Sequence, residues 1–194
     1  MSKAILLTFV SPILFVLAAP ALAGTVNIQS PAQNVFQGNS FSVDISVSGV
    51  TDLYAFQFDL GFDPQVIEAT GIAEGPFLLA GGPTFFLPGT IENTSGTIAF
   101  TADTLLGPVP GVSGDGVLAV ATFEALAPGS SGLNLDNFFF LDSTGGGISV
   151  TVQPGSVSVS AVPEPPTIAL LWAGLLSFVM AGTSVRRRGD RRPV

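Results

Sequence analysis

Carboxylates are the main chemical resource of this chain. Its 194 residues include 14 Asp and Glu, 6 Lys and Arg, no His and no Cys. Twelve of the acids lie between residues 24 and 161, the other two being Glu164 and Asp190, and that stretch contains no base, so its formal charge is −12. Carboxylates support two kinds of chemistry. A pair about 5–10 Å apart across a cleft hydrolyses glycosidic bonds, and a cluster with carbonyl oxygens holds a hard cation such as Ca²⁺. The missing residue types close other routes. Ser-His-Asp and Cys-His nucleophilic mechanisms have no base here. Zinc, copper and haem lose their usual nitrogen and sulfur ligands. Nucleic-acid binding needs Lys or Arg against phosphates. Disulfides are absent, so the fold stands on its core alone.

The six bases are Lys3, Arg186, Arg187, Arg188, Arg191 and Arg192, all at the chain ends. At the N-terminus, Lys3 precedes an apolar run, and Ala21 and Ala23 stand just before Gly24. This is the pattern of a secretory signal peptide over residues 1–23, with signal peptidase cutting after Ala23. At the other end, residues 167–185 are 19 uncharged residues. At about 1.5 Å per residue they span roughly 28 Å, close to the hydrocarbon core of a bilayer. Arg186, Arg187 and Arg188 follow at once and act as a stop signal that keeps this end cytoplasmic. Pro163, Glu164 and Pro165 lie before the span, in an extended segment that refuses helix.

The order Pro-Glu-Pro, apolar helix, Arg cluster resembles a PEP-CTERM sorting signal, here over residues 162–194. The resemblance implies processing by an exosortase near Pro163, Glu164 and Pro165. It also implies export to a Gram-negative envelope, with the chain held in the membrane by its C-terminal helix until it is cut.

Between these signals lies one module, residues 24–161, long enough for a single core. Its pattern is all-β. Residues 41–48 alternate, with Phe41, Val43, Ile45 and Val47 on one face. Residues 54–60 place Tyr54, Phe56, Phe58 and Leu60 on one face and Ala55, Gln57 and Asp59 on the other. Further strands are expected at 26–29, 65–69, 84–87, 90–92, 96–102, 117–125, 133–140, 148–152 and 156–160. Asp63-Pro64 reads as a turn, and Gly114-Asp115-Gly116 as an exposed corner with positive φ. Phe58, Phe100 and Phe123 are expected core anchors. The run Phe138-Phe139-Phe140 must send at least one ring to the opposite face. No segment shows helical periodicity. The expectation is an antiparallel β-sandwich of jelly-roll type with about nine strands.

The module resembles a cohesin domain. The likeness rests on residues 53–68, with the strand Tyr54 to Leu60 and the Phe62-Asp63-Pro64 turn, and on Gly96-Thr97-Ile98-Ala99-Phe100. It also rests on Gly114-Asp115-Gly116 with Thr122-Phe123, and on Gly155-Ser156-Val157. The resemblance implies a non-catalytic module that binds dockerin modules through one sheet face. Well-studied members carry an outward Asn and an outward Asp on the third strand, and Ala55 and Gln57 stand there in this chain. The candidate binding face is therefore Ala55, Gln57 and Asp59.

Three functions remain in contention. One is a surface-displayed binding module for a protein partner, dockerin-like, or for a polysaccharide. One is a hydrolase working with two carboxylates. The third is an acidic component of an exopolysaccharide matrix, with weak Ca²⁺ binding near Asp136-Asn137 or Asp142-Ser143-Thr144-Gly145. These read first as ordinary Asx turns, and no dense Asp-rich metal loop is present. Neither a cofactor nor a resident metal is expected. Asn93-Thr94-Ser95 reads as a turn.

Overall fold

A computed structural model describes residues 24–29, 35–162, 171, 172 and 174. Ten strands and one short helix follow in chain order. They are β1 (Gly24–Gln29), β2 (Val35–Phe36), β3 (Ser40–Gly61), β4 (Ile67–Glu74), α1 (Pro76–Leu79), β5 (Thr90–Glu92), β6 (Thr97–Thr104), β7 (Val112–Ala125), β8 (Gly129–Asp142), β9 (Val150–Gln153) and β10 (Gly155–Ser160).

The 22-residue strand β3 belongs to both layers of the sandwich. Its first half pairs with β1 and β7, building the order β9-β1-β3-β7-β4. Its second half pairs with β6 and β8, building β2-β10-β8-β3-β6-β5. The two expected strands at 41–48 and 54–60 are thus one strand with a corner between them. Gly49 (φ 66°) and Asp52 (φ 59°) turn that corner. Asp visits the left-handed region more readily than most residues, and here distant partners hold it there. The Asp52 N–H donates to Ser113 Oγ at 2.8 Å, Oδ1 accepts from the Gly111 N–H at 2.7 Å, and Oδ2 accepts from Ser143 Oγ at 2.7 Å. These bonds hold the Asp52 carboxyl below its usual range, Ser143 acting most strongly and Gly111 next.

The core lies between the layers. Period-two alternation sends Val43, Ile45, Val47, Phe56, Phe58 and Leu60 inward. Phe123 on β7 stacks on Phe41 at 5.7 Å and meets Phe62 edge-on at 5.4 Å, while Phe56 lies between Phe58 and Phe140. The Asp63-Pro64 turn forms as expected, with the Gln65 N–H donating to Asp63 Oδ1 at 2.9 Å. The Asn93-Thr94-Ser95 turn also forms, and its Asn93 side chain bonds the Ala69 backbone in both directions.

The sandwich departs from expectation in several details. It is not wholly antiparallel, since β1–β9 and β2–β10 are parallel pairs. The strand expected at 65–69 begins at Ile67 and runs to Glu74, because Asp63 to Val66 are occupied by the turn. Residues 84–87 form no strand of their own and meet β6 and Leu105 through bridges at Thr84 and Leu87 and the Phe85 N–H bond to the Thr104 carbonyl. The short α1, started by Pro76 at its first turn, buries Phe77 and Leu78. Gly114-Asp115-Gly116 lies inside β7 and is not a corner. Gly114 has φ 118°, but Gly116 is required for another reason: a Cβ there would come within 2.5 Å of the Phe77 ring.

Ala21, Ala23, Pro163, Glu164, Pro165, Arg186, Arg187 and Arg188 lie outside the described residues; Gly24 opens β1. Of the expected span 167–185, Leu171, Trp172 and Gly174 are described and are helical. Among the described residues, no helix is long and apolar enough to cross a membrane.

Replacing Phe123 by Ala removes the ring that joins β3, β7 and the turn after β3. The expected cost is about 3–5 kcal/mol, read as a lower denaturation midpoint with unchanged slope.

Candidate functional site

The outward face of the β8-β3-β6 layer carries the candidate residues. Ala55 pairs with Thr104 on β6 and Leu141 on β8, and Gln57 with Ala102 and Phe139. Ala102 also bridges to Leu87, and the Phe85 N–H donates to the Thr104 carbonyl at 2.8 Å, so segment 84–87 extends this layer. Directly paired residues share a face. Phe139, Gln57, Ala102 and Leu87 therefore form one row, and Leu141, Ala55, Thr104 and Phe85 the next.

Asp59 organises the lower part of this face. Its Oδ1 accepts from the Phe100 N–H at 2.7 Å, and its Oδ2 accepts from Asn137 Nδ2 at 2.6 Å. Both donors come from residues in the left-handed region, Phe100 at φ 59° and Asn137 at φ 47°. Both stand where the ladder slips beside β3: the register shifts between Phe58 and Leu60 against β6, and between Gln57 and Asp59 against β8. One carboxylate thus ties together two bulges on either side of the central strand. Bulges re-aim side chains, which explains a correction. Phe100 is not a core anchor but stands 55% exposed, whereas Phe58 and Phe123 are buried as expected. On β8, Phe139 faces outward opposite Gln57 by ordinary alternation, as expected of the triplet, while Phe138 beside the bulge is also exposed and Phe140 lies in the core.

Gln57 is covered by its neighbours, and its Nε2 donates to the Asn137 carbonyl at 3.1 Å. The three candidate residues therefore offer little free polar chemistry. Ala55 has none, Gln57 is committed to β8, and both oxygens of Asp59 are taken. The missed feature is the apolar fringe around them. Phe85 (56% exposed), Phe100, Phe139 (47%) and Leu87 (37%) stand on this layer, and no alternation rule reveals Phe100 as outward. The opposite layer differs. There Asp44 pairs with Val120, and Glu124 faces both Ser40 and Glu68.

The oxygen-rich loops are closed by the protein itself. Asp142 Oδ1 accepts from the Thr144 N–H, Thr144 Oγ1 and the Gly146 N–H at 2.7–2.8 Å, which holds its carboxyl below the usual range, Thr144 being the main cause. This is the Asx turn that the sequence suggests. Asp136-Asn137 lies within β8, not in a loop. Among the described residues, no three or more Asp or Glu are grouped to hold a metal ion.

The chain is thus a two-layer β-sandwich with an apolar patch on one layer. The chain matches the cohesin domain family over residues 24–159 and belongs to it. Cohesin domains are non-catalytic binding modules, so the chain is a protein-binding module and not a carboxylate hydrolase. Solved structures agree on the fold. A non-cellulosomal cohesin from the hyperthermophilic archaeon Archaeoglobus fulgidus superposes with TM-score 0.55 at 16% identity, covering 71% of this chain and 91% of that one. A chain of a type I cohesin–dockerin complex from Clostridium thermocellum gives TM-score 0.60 at 14% identity, covering 72% and 95%. The cohesin module of a family 33 glycoside hydrolase from Clostridium perfringens gives 0.58 at 13%, covering 72% and 98%. Comparison with curated proteins returns no match.

Replacing Asp59 by Ala removes the acceptor of two bonds on opposite sides of β3. Stability is expected to fall by about 1–3 kcal/mol. The amide resonances of Phe100 and Asn137 should shift while those of β1 stay in place, as a two-dimensional NMR spectrum reads directly.

Proposed function

We propose that this chain is an exported cohesin-type module that binds a dockerin-like protein through the outward face of β8-β3-β6. The observation that carries the reading is the concentration of exposed Phe85, Leu87, Phe100 and Phe139 around Ala55 and Ala102, on a domain whose other layer presents acids. Large aromatic groups exposed together on a soluble domain mark an interaction surface, and aromatic anchors dominate binding energy at such surfaces. The polar Asn and Asp of well-studied members are absent, so affinity here rests on apolar burial. Polar specificity then falls to groups at the rim. The charge of −12 over residues 24–161 favours a partner with a basic contact surface and makes encounter salt-sensitive.

The terminal signals supply the cellular setting. Export under the signal peptide 1–23, membrane retention by 167–185 and exosortase cutting near Pro163, Glu164 and Pro165 put the module at a Gram-negative cell surface. There an exopolysaccharide is the other candidate ligand.

Two experiments test this reading. Calorimetric titration of the protein with dockerin modules from the same genome should show binding. Phe100→Asp and Phe139→Asp should each weaken it by at least about tenfold, the effect of losing a buried aromatic anchor. If no dockerin binds and purified exopolysaccharide does, the protein partner is wrong; binding that survives both substitutions moves the site elsewhere. In the native host, replacing Pro163, Glu164 and Pro165 by Ala should leave the tail uncut, seen as a heavier band in the membrane fraction. Normal processing of that variant removes the exosortase reading.

A further inference from the structure

One acid in this domain is treated unlike the others. Asp103, on β6, is 2% exposed, and neither of its carboxylate oxygens has a hydrogen-bond partner. It faces inward opposite Phe56. An ionised carboxylate in such a place is strongly unfavourable unless paired or bonded. Among the described residues there is no Lys, Arg or His to pair with it. Of the titratable groups around it, Tyr54 has its hydroxyl committed to the Gly107 carbonyl at 2.6 Å. The remaining one is Glu74 at the end of β4, whose charge repels that of Asp103 and whose Oε1 holds Thr84, paired with Leu105 two positions along from Asp103. Two carboxyl groups bond each other only when one of them holds a proton. Burial first, and then the Glu74 charge, push the Asp103 carboxyl up to about 7. A bound Ca²⁺ is a poorer occupant. It takes about six to eight oxygen ligands, against two carboxylates and the Thr84 hydroxyl here.

The pair sits at a junction. Asp103 belongs to the β8-β3-β6 layer and Glu74 to the β3-β7-β4 layer. Glu74 Oε1 also accepts from Thr84 Oγ1 at 2.5 Å. Thr84 begins the segment that carries Phe85 and Leu87, and it bridges Leu105 just past the end of β6. We propose that Asp103 and Glu74 share one proton across the sandwich, and that losing this proton loosens the 84–87 edge of the apolar face. The shared proton stands by itself; its bearing on binding rests on the face described above.

The direction of the pH effect follows from linkage. In the unfolded chain Asp103 ionises near 3.8, and in the fold it does so near 7. The stability that the protonated pair contributes is therefore complete below pH 3.8 and is lost as pH rises through about 7. This runs opposite to the usual acid denaturation of carboxylate-rich proteins.

The test uses the full-length protein in detergent. The side-chain carboxyl carbon of Asp103, followed by NMR, should titrate with a midpoint near 7 in the wild type. In Glu74→Gln the midpoint should move down, because a repelling charge becomes a neutral donor. A wild-type midpoint below about 5, the range of an ordinary acid, overturns the proposal. Asp103→Asn mimics the protonated partner without titrating. Its melting temperature should gain on the wild type between pH 5 and pH 8, and a gap constant across that interval also overturns the proposal. Hydrogen exchange reports on the face with no partner present. Protection of the Phe85 and Leu87 amides, corrected for intrinsic rate, should fall by roughly tenfold from pH 5 to pH 8 in the wild type and stay level in Asp103→Asn. A titration near 7 with level protection in both proteins overturns the link to the face and leaves the shared proton standing. Loss of dockerin binding in the experiments above has no effect on any of these readings.

Discussion

Both layers of this sandwich depend on one strand. β3 supplies the centre of the β1-β3-β7 ladder with its first half and the centre of the β8-β3-β6 ladder with its second. A slip of one residue along β3 turns every side chain to the wrong face, and here it does so in both layers at once. The register must therefore be pinned where the strand changes layers and where it carries the site. Asp52 does the first, with bonds to Ser113, Gly111 and Ser143 from two other strands or their loops. Asp59 does the second, with bonds to Phe100 and Asn137 on either side. The two acids are seven positions apart on the same strand.

A domain with no Lys, Arg or His has to satisfy its acids by other means. The solution is repeated. Asp52, Asp59, Asp63, Asp115 and Asp142 each accept a backbone N–H, and three of the five also take a side-chain hydroxyl or amide. Carboxylate bonds to N–H groups are stronger than neutral ones, so the acids stabilise corners, bulges and turns. In a domain with mixed charges, salt bridges take part of that work. Such bonds need N–H groups free of a ladder partner, which occur at bulges and corners. Asp103 differs from these five: it lies in the β6 ladder opposite Phe56, and neither of its oxygens has a partner.

The sequence reads well where the ladder is regular. Alternation identifies the inward faces of 41–48 and 54–60, and the Asp-Pro turn, because period-two burial and Asx bonding are local. It fails where one residue is added. Phe100 is an expected core anchor, and the bulge held by Asp59 turns it outward. The bulge depends on an acid 41 positions away, so nothing in the local pattern around Phe100 announces it. Phe138, next to Asn137 at the β8 bulge, is exposed too, whereas Phe139 faces outward by ordinary alternation, as expected. The corner that joins the two expected strands is likewise invisible locally, because the partners of Asp52 come from residues 111, 113 and 143.

These irregularities bear on what the face can do. A regular strand pair buries one side of each residue pair and leaves a polar outer surface; a bulge breaks that symmetry and lifts a large ring into solvent without disturbing the core beneath it. The resulting surface costs the isolated domain solubility on one layer, offset by acids on the other. Such a cost is retained where a partner covers the rings. The Asp59 carboxylate, at the position where a polar contact is expected, acts through the backbone instead. It fixes Phe100 and Asn137, so its substitution changes the shape of the face before it changes its charge. The polar chemistry of Asp59 thus lies beneath the surface, in the bonds that decide how Phe100 and Asn137 are presented.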